Sequence, residues 1–295
     1  MKGLASGSEG SVTVEQAYAR CALLAQTHYE NFTVGSWLLP RDKRLHMYAI
    51  YAYCRGVDDL GDEYEGNRMD ALDAWEADLE RCYDGTPSHP FMVALQQTIR
   101  DFDIPIEPFR MLVEANRMDQ TVTRHQTYDD LERYCQHSAN PVGHLVLYLF
   151  GYRDEERQAM SDHTCTALQL TNFWQDVARD HEMGRVYLPV DDMERFGYTE
   201  EMLAAREFNP QFRDMIAFEV ERARDLFRRG LLLVDTLDGR LKLDVALFSR
   251  GGSRILDAIQ KQGYDVLGQR PTISKAARTW LMLSTTVRLR LGLGV

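Results

Sequence analysis

The stretch Tyr51-Ala-Tyr-Cys-Arg55-Gly-Val-Asp58-Asp59-Leu-Gly-Asp62-Glu63 decides how this chain is read, together with its counterpart Gln169-Leu-Thr-Asn172-Phe-Trp-Gln-Asp176-Val-Ala-Arg-Asp180. At 100° per residue, Tyr51, Arg55, Asp58, Asp59 and Asp62 fall within an arc of about 100° on one helix face. Gln169, Asn172, Asp176 and Asp180 share an arc of about 80°. Acidic residues four apart also arise by chance: at this composition about seven such pairs are expected, and a solvated helix face explains them without any ligand. The second cluster, however, sits beside Phe173, Trp174 and Val177, which predicts partial burial, and buried like charges require a cation. Mg²⁺ binds through one or two carboxylates plus waters and substrate phosphates, so two such helices facing each other would hold a Mg²⁺-bridged diphosphate. Spacing alone leaves both readings open.

Outward from these motifs, apolar residues recur at i, i+3, i+4 and i+7 and the nine prolines fall mostly between such segments, which is the helical period. Helices are expected at about 14–29, 41–62, 71–83, 90–102, 108–119, 128–150, 155–181, 210–234, 241–261 and 273–291, with the 241–261 helix broken near Gly251-Gly252. A short helix near 200–205 lies in the mixed stretch between His181 and Pro210. Strand alternation, linkers and internal repeats are lacking, so the expectation is an all-α bundle of one domain over residues 1–295, with 1–11 a small, polar tail.

The 295 residues carry a formal net charge of −11 without a basic cluster, which argues against a nucleic-acid partner. Five dispersed cysteines without a CxxC pair suggest neither a disulfide framework nor a zinc site and fit a reducing cytoplasm. No apolar run approaches the length of a transmembrane segment, and the N-terminus lacks a signal-peptide core. The segment from Trp280 to Leu291 has an apolar face with Arg288 and Arg290 opposite; it suits either a last helix packed on the bundle or peripheral contact with the inner face of a membrane. GxGxxG, GxxxxGK[ST], GxSxG and HExxH are all absent, which removes the usual signatures of dinucleotide, P-loop, hydrolase and zincin chemistry.

Taken together, His28-Tyr-Glu-Asn31-Phe32, the two aspartate stretches and Gly184-Arg-Val-Tyr187-Leu-Pro189 resemble the squalene and phytoene synthase family. Within it, His28-Tyr-Glu-Asn31-Phe32 and Ser138-Ala-Asn140-Pro-Val-Gly143 are most similar to the bacterial hopanoid-pathway hydroxysqualene synthases. The resemblance implies a class I isoprenoid synthase bundle with a central cavity, Mg²⁺ as cofactor, an isoprenoid diphosphate substrate, and conversion of presqualene diphosphate and water to hydroxysqualene and diphosphate. Sibling enzymes condense two prenyl diphosphates instead, and a non-catalytic helical binding protein is the alternative of another class.

By position, the resemblance implies Asp58, Asp59, Asp62, Asp176 and Asp180 as metal ligands. His28, Asn31, Phe32, Arg55, Gln169, Asn172 and Arg250 become substrate-binding candidates, and Tyr51, Tyr134, Tyr187 and Asn140 catalytic candidates around the reacting carbons. Two departures from condensing relatives, Ala139-Asn140-Pro141 and the Arg250-Gly-Gly-Ser stretch without its aromatic residue, are expected to change the pocket. Diphosphate loss from a cyclopropylcarbinyl carbon leaves a carbocation, so the site must neutralise the departing anion and offer π faces or phenol oxygens to the cation.

Overall fold

The computed structural model describes residues 12–27 and 40–293. Fourteen helices appear among them: α1 (Val14–Thr27), α2 (Arg41–Asp62), α3 (Arg68–Asp84), α4 (Pro90–Phe102), α5 (Glu107–Met118), α6 (Tyr128–Ser138), α7 (Asn140–Leu149), α8 (Glu155–Glu182), α9 (Val190–Phe196), α10 (Glu200–Ala204), α11 (Pro210–Gly230), α12 (Leu232–Thr236), α13 (Gly239–Lys261) and α14 (Lys275–Arg290). The only strand-like pairing among the described residues is a single parallel bridge between Arg124 and Val186. The fold is all-α, as the periodicity predicts.

Helix starts follow local chemistry. Asn67, Thr127, Asp154, Thr199, Asn209 and Ser274 each accept a backbone N–H of the first turn through their side chains. Thr127 and Asp130 close a reciprocal capping box.

Apolar faces gather into two main cores. Tyr53, Val57, Leu72, Leu79, Leu95, Phe109 and Leu145 pack the helices of the first half. Leu170, Trp174, Phe212, Val220, Phe227 and Leu256 pack α8, α11 and α13. The acidic end of α2 belongs to the first group and the acidic half of α8 to the second, so the site lies at the seam between them.

Three expectations are corrected. The segment 128–150 is two helices: the chain turns at Ala139 because Pro141 lacks the N–H that would continue the ladder. The 210–234 segment likewise breaks at Leu231, after Gly230, where an added Cβ would stand 2.8 Å from the backbone nitrogen of Thr164. Gly251 and Gly252, by contrast, do not break α13; a Cβ on Gly252 would meet Phe227 at 2.3 Å and Leu168 at 3.0 Å, so this glycine serves close helix packing. The helix α9 was not expected.

Candidate active site

Asp58, Asp59 and Asp62 occupy the last turn and a half of α2. Gly61 lets α5 approach them: an added Cβ would lie 2.1 Å from Asn116 Oδ1, and Asn116 Nδ2 donates to Asp58 Oδ1 at 3.3 Å. Asp58 keeps an exposed edge, yet crowding by the surrounding protein raises its carboxyl above the usual carboxylate range, against the opposing hydrogen bond from Asn116. Arg55 pairs along its own helix with Asp59 at 2.5 Å and Glu63 at 2.9 Å.

On α8, Asp176 is gripped by Arg270, whose Nε and Nη2 reach its two oxygens at 2.5 and 2.8 Å. Gln175 donates to the Pro271 carbonyl, which holds the Arg270 loop over this helix face. Asp180 is half-buried, and burial together with the Asp176 charge pushes its carboxyl up to about 7. Gln169 is half-buried and Asn172 exposed on the same helix.

The two aspartate groups meet at Arg185. Its placement starts with Gly184, which takes φ +82 after the end of α8. Gly184 N–H donates to the His181 carbonyl and Arg185 N–H to the Asp180 carbonyl, a Schellman cap that folds the chain back on the acidic helix. The Arg185 guanidinium then donates to Asp62 at 2.6 Å, tying α2 to the end of α8.

From there the chain runs extended beside the α5–α6 loop, with Val186 N–H on the Thr123 carbonyl and Val190 N–H on that of His125. Along it Val186 and Leu188 are buried in the core, while Arg185 and Tyr187 interact with Asp119 and Asp180. Phe173 stacks on Tyr187 at 3.8 Å and 11°, and Tyr134 and His125 complete an aromatic wall with centroids 5.8 Å from Tyr187. A cavity of ≈ 10 Å³ lies among Phe173, Val177, Asp180, Val186, Tyr187 and Leu188.

Beneath the wall lies a residue that carries no motif. Tyr134 donates its hydroxyl proton to Asp119 Oδ2 at 2.9 Å, and burial pushes Asp119 up to about 6 against the pull of Arg185. Asp119, Asn116, Arg185 and Arg270 therefore join the candidate site, although the sequence did not single them out. Only Arg185 had a signal, inside Gly184-Arg-Val-Tyr187; the others follow no spacing rule.

The remaining candidates fall elsewhere or outside. Tyr51 is half-buried against the apolar contact of α1 with α2. Asn140 is buried at the start of α7, where its Oδ1 accepts the Thr166 hydroxyl at 2.9 Å. Arg250 on α13 makes no ion pair with a described residue; its charged neighbours are Arg288 and Arg254, so the structure does not bring it to the aspartates. His28, Asn31 and Phe32 lie outside the described residues.

Comparison with known proteins identifies the family and the fold. The family described as squalene/phytoene synthase matches residues 25–277. The chain belongs to the squalene/phytoene synthase family. It is 48% identical to the solved squalene synthase HpnC from Alicyclobacillus acidocaldarius, over 86% of this chain and 97% of that one, with a TM-score of 0.83. A dehydrosqualene synthase solved with a ligand is 26% identical, covers 94% of this chain and 98% of that one, and superposes with a TM-score of 0.86. The 15-cis-phytoene synthase of Synechocystis sp. is 34% identical over 88% of this chain and 81% of its own length. Family members are isoprenoid synthases, and the fold of this chain is theirs.

Proposed function

We propose that this squalene/phytoene synthase family member is a Mg²⁺-dependent hydroxysqualene synthase, converting presqualene diphosphate and water to hydroxysqualene and diphosphate. The observation that supports the reading is that Arg185, through the Asp62 side chain and the Asp180 carbonyl, ties the helix end bearing Asp58, Asp59 and Asp62 to the helix end bearing Asp176 and Asp180, beside an aromatic wall. The identity with a solved squalene synthase HpnC supports the hopanoid-type assignment.

Among the described residues no three His, Cys, Asp or Glu side chains converge into a cage able to hold a metal by themselves. The donor chemistry nevertheless fits a hard dication. All five donors are carboxylates, and Mg²⁺ takes few protein oxygens when waters and substrate phosphates complete its shell. Asp58, Asp59, Asp62, Asp176 and Asp180 would hold it. When bound, such an ion neutralises the charge that develops on the departing diphosphate.

The chain's own residues supply the rest. Arg185, paired with Asp62, and Arg270, paired with Asp176, both neighbour Asp180 and present guanidinium donors to an anion there. As the C–O bond to diphosphate breaks, the π faces of Phe173, Tyr187 and Tyr134 stabilise the carbocation and exclude bulk water. The Tyr134 proton is directed at Asp119, which leaves lone pairs on the phenol oxygen to accept a hydrogen bond from a water. Attack by that water forms the new C–O bond, and its surplus proton leaves with diphosphate or to solvent.

A second reading, condensation of two prenyl diphosphates, is favoured by the resemblance to phytoene synthases. The two separate on one assay. Purified protein with presqualene diphosphate, Mg²⁺ and ¹⁸O-water, without nicotinamide, should release hydroxysqualene carrying one ¹⁸O. Turnover of farnesyl or geranylgeranyl diphosphate, with no alcohol from presqualene diphosphate, would establish the condensing activity instead.

A further inference from the structure

The C-terminal helix α14 carries an apolar stripe that no described residue covers. Trp280 is 67% exposed, Leu283 54% and Val287 53%, and the three lie within an arc of about 60°. Leu291, 67% exposed, follows one turn on, and Leu293 is 51% exposed. The helix docks on α13 through a different face, bearing the buried Leu281 and Thr285. Contiguous exposed apolar side chains of this size mark a binding surface rather than ordinary surface scatter.

The charge around the stripe identifies the partner. Residues 266–295 contain five basic residues, Arg270, Lys275, Arg278, Arg288 and Arg290, and no acidic one, in a chain whose net charge is −11. Arg288 and Arg290 lie to either side of the stripe, both exposed. Beside it, a groove of ≈ 280 Å³ between α13 and α14 is lined by Lys242, Leu243, Leu289 and Arg290. Neither Lys242 nor Arg290 forms an ion pair with a described residue. An exposed apolar stripe flanked by cations is the pattern of a helix lying along a membrane surface. A second copy of the chain is a poor occupant, because a two-fold contact would set these cations against themselves.

We propose that α14 docks this protein on an anionic lipid bilayer, with Trp280, Leu283, Val287 and Leu291 entering the headgroup boundary and Arg288, Arg290 and Lys242 meeting lipid phosphates. Each cation near such a surface strengthens binding severalfold, and high salt removes that part.

The test is flotation of the full chain with vesicles of phosphatidylcholine alone or with one-third phosphatidylglycerol. Wild type should bind the anionic vesicles at least about tenfold more tightly than the neutral ones. Brominated acyl chains should quench its tryptophan fluorescence. The triple variant W280S/L283S/V287S changes only side chains that are more than half exposed; it should keep the wild-type unfolding temperature, bind at least about tenfold more weakly and lose the quenching. K242E/R290E should abolish the preference for anionic vesicles. Absence of vesicle binding by wild type, or binding unchanged in the triple variant, would overturn the proposal. So would self-association of wild type that the triple variant abolishes, which would assign the stripe to a second copy.

Discussion

Gly61 couples packing to the site, and replacing it by Ala tests that coupling. In the last turn of α2 the added methyl would lie 2.1 Å from Asn116 Oδ1 and 3.0 Å from Cγ, so Asn116 must move. Helix propensity favours the change by about 1 kcal/mol. Overpacking costs about 1–3 kcal/mol, and loss of the Asn116 hydrogen bond to Asp58 about another 1. The net is a destabilisation of about 1–3 kcal/mol, a fall in Tm of about 2–8 °C for a chain of this size. Turnover should fall further than stability does, because Asp58 loses the donor that orients it. N116A removes the obstructing amide but also the Asp58 donor. In a double-mutant cycle, G61A and N116A should therefore be strongly sub-additive in Tm, while turnover stays low in the double variant. Additive losses in Tm would refute a direct contact between the two positions, and full activity in N116A would refute the orienting role.

Asp176→Asn removes one charge at near-constant volume; turnover should fall at least about 100-fold, while Tm moves by no more than about 3 °C because Arg270 is half exposed. Wild-type turnover by this variant would remove Asp176 from the site. Gly184→Ala meets no steric obstacle, yet its φ of +82 costs an alanine about 1–2 kcal/mol, so Tm should fall a few degrees and KM rise as Arg185 loses its Schellman support. An unchanged KM would mean that Arg185 is placed by its ion pair with Asp62 alone. Glu219, fully buried, shares Arg222 with Asp192; burial pushes its carboxyl up from 4.5 to about 8, helped by Asp192 and opposed by Arg222. A carboxyl with a raised folded-state pKa contributes fully below about pH 4.5 and loses that contribution as pH climbs through 8. The Tm difference between Glu219→Gln and wild type should thus grow in the variant's favour from pH 5 to 8; parallel curves would contradict the buried protonated state.

What was legible in the sequence follows from which interactions repeat along the chain. The 3.6-residue period gave α2 and α4 at their observed ends, and it placed both aspartate clusters on single helix faces, because that geometry is set within a few turns. Asp119 shows the limit. It lies just past the end of α5, beside no other acid, and acquires its surroundings only when α6 brings Tyr134 and the extended segment after α8 brings Arg185 and Tyr187. Arg270 is a similar case, positioned 94 residues from Asp176 by a loop that a single glutamine amide ties down.

Glycine was ambiguous for a related reason. The same residue type makes a left-handed cap at Gly184 and a helix contact at Gly252, and only the neighbours in space, a free carbonyl in one case and the Phe227 ring in the other, decide between them. The resemblance makes Arg250 a substrate-binding candidate, and the glycines that follow it admit Phe227 and Leu281 of adjoining helices. The aspartate spacing is what led to the proposal of an anion and its counter-ions here. In the proposed reaction the arginines and the aromatic wall that would meet the carbocation are assembled by tertiary contacts, so reaction outcome is the part of the function that motif spacing specifies least.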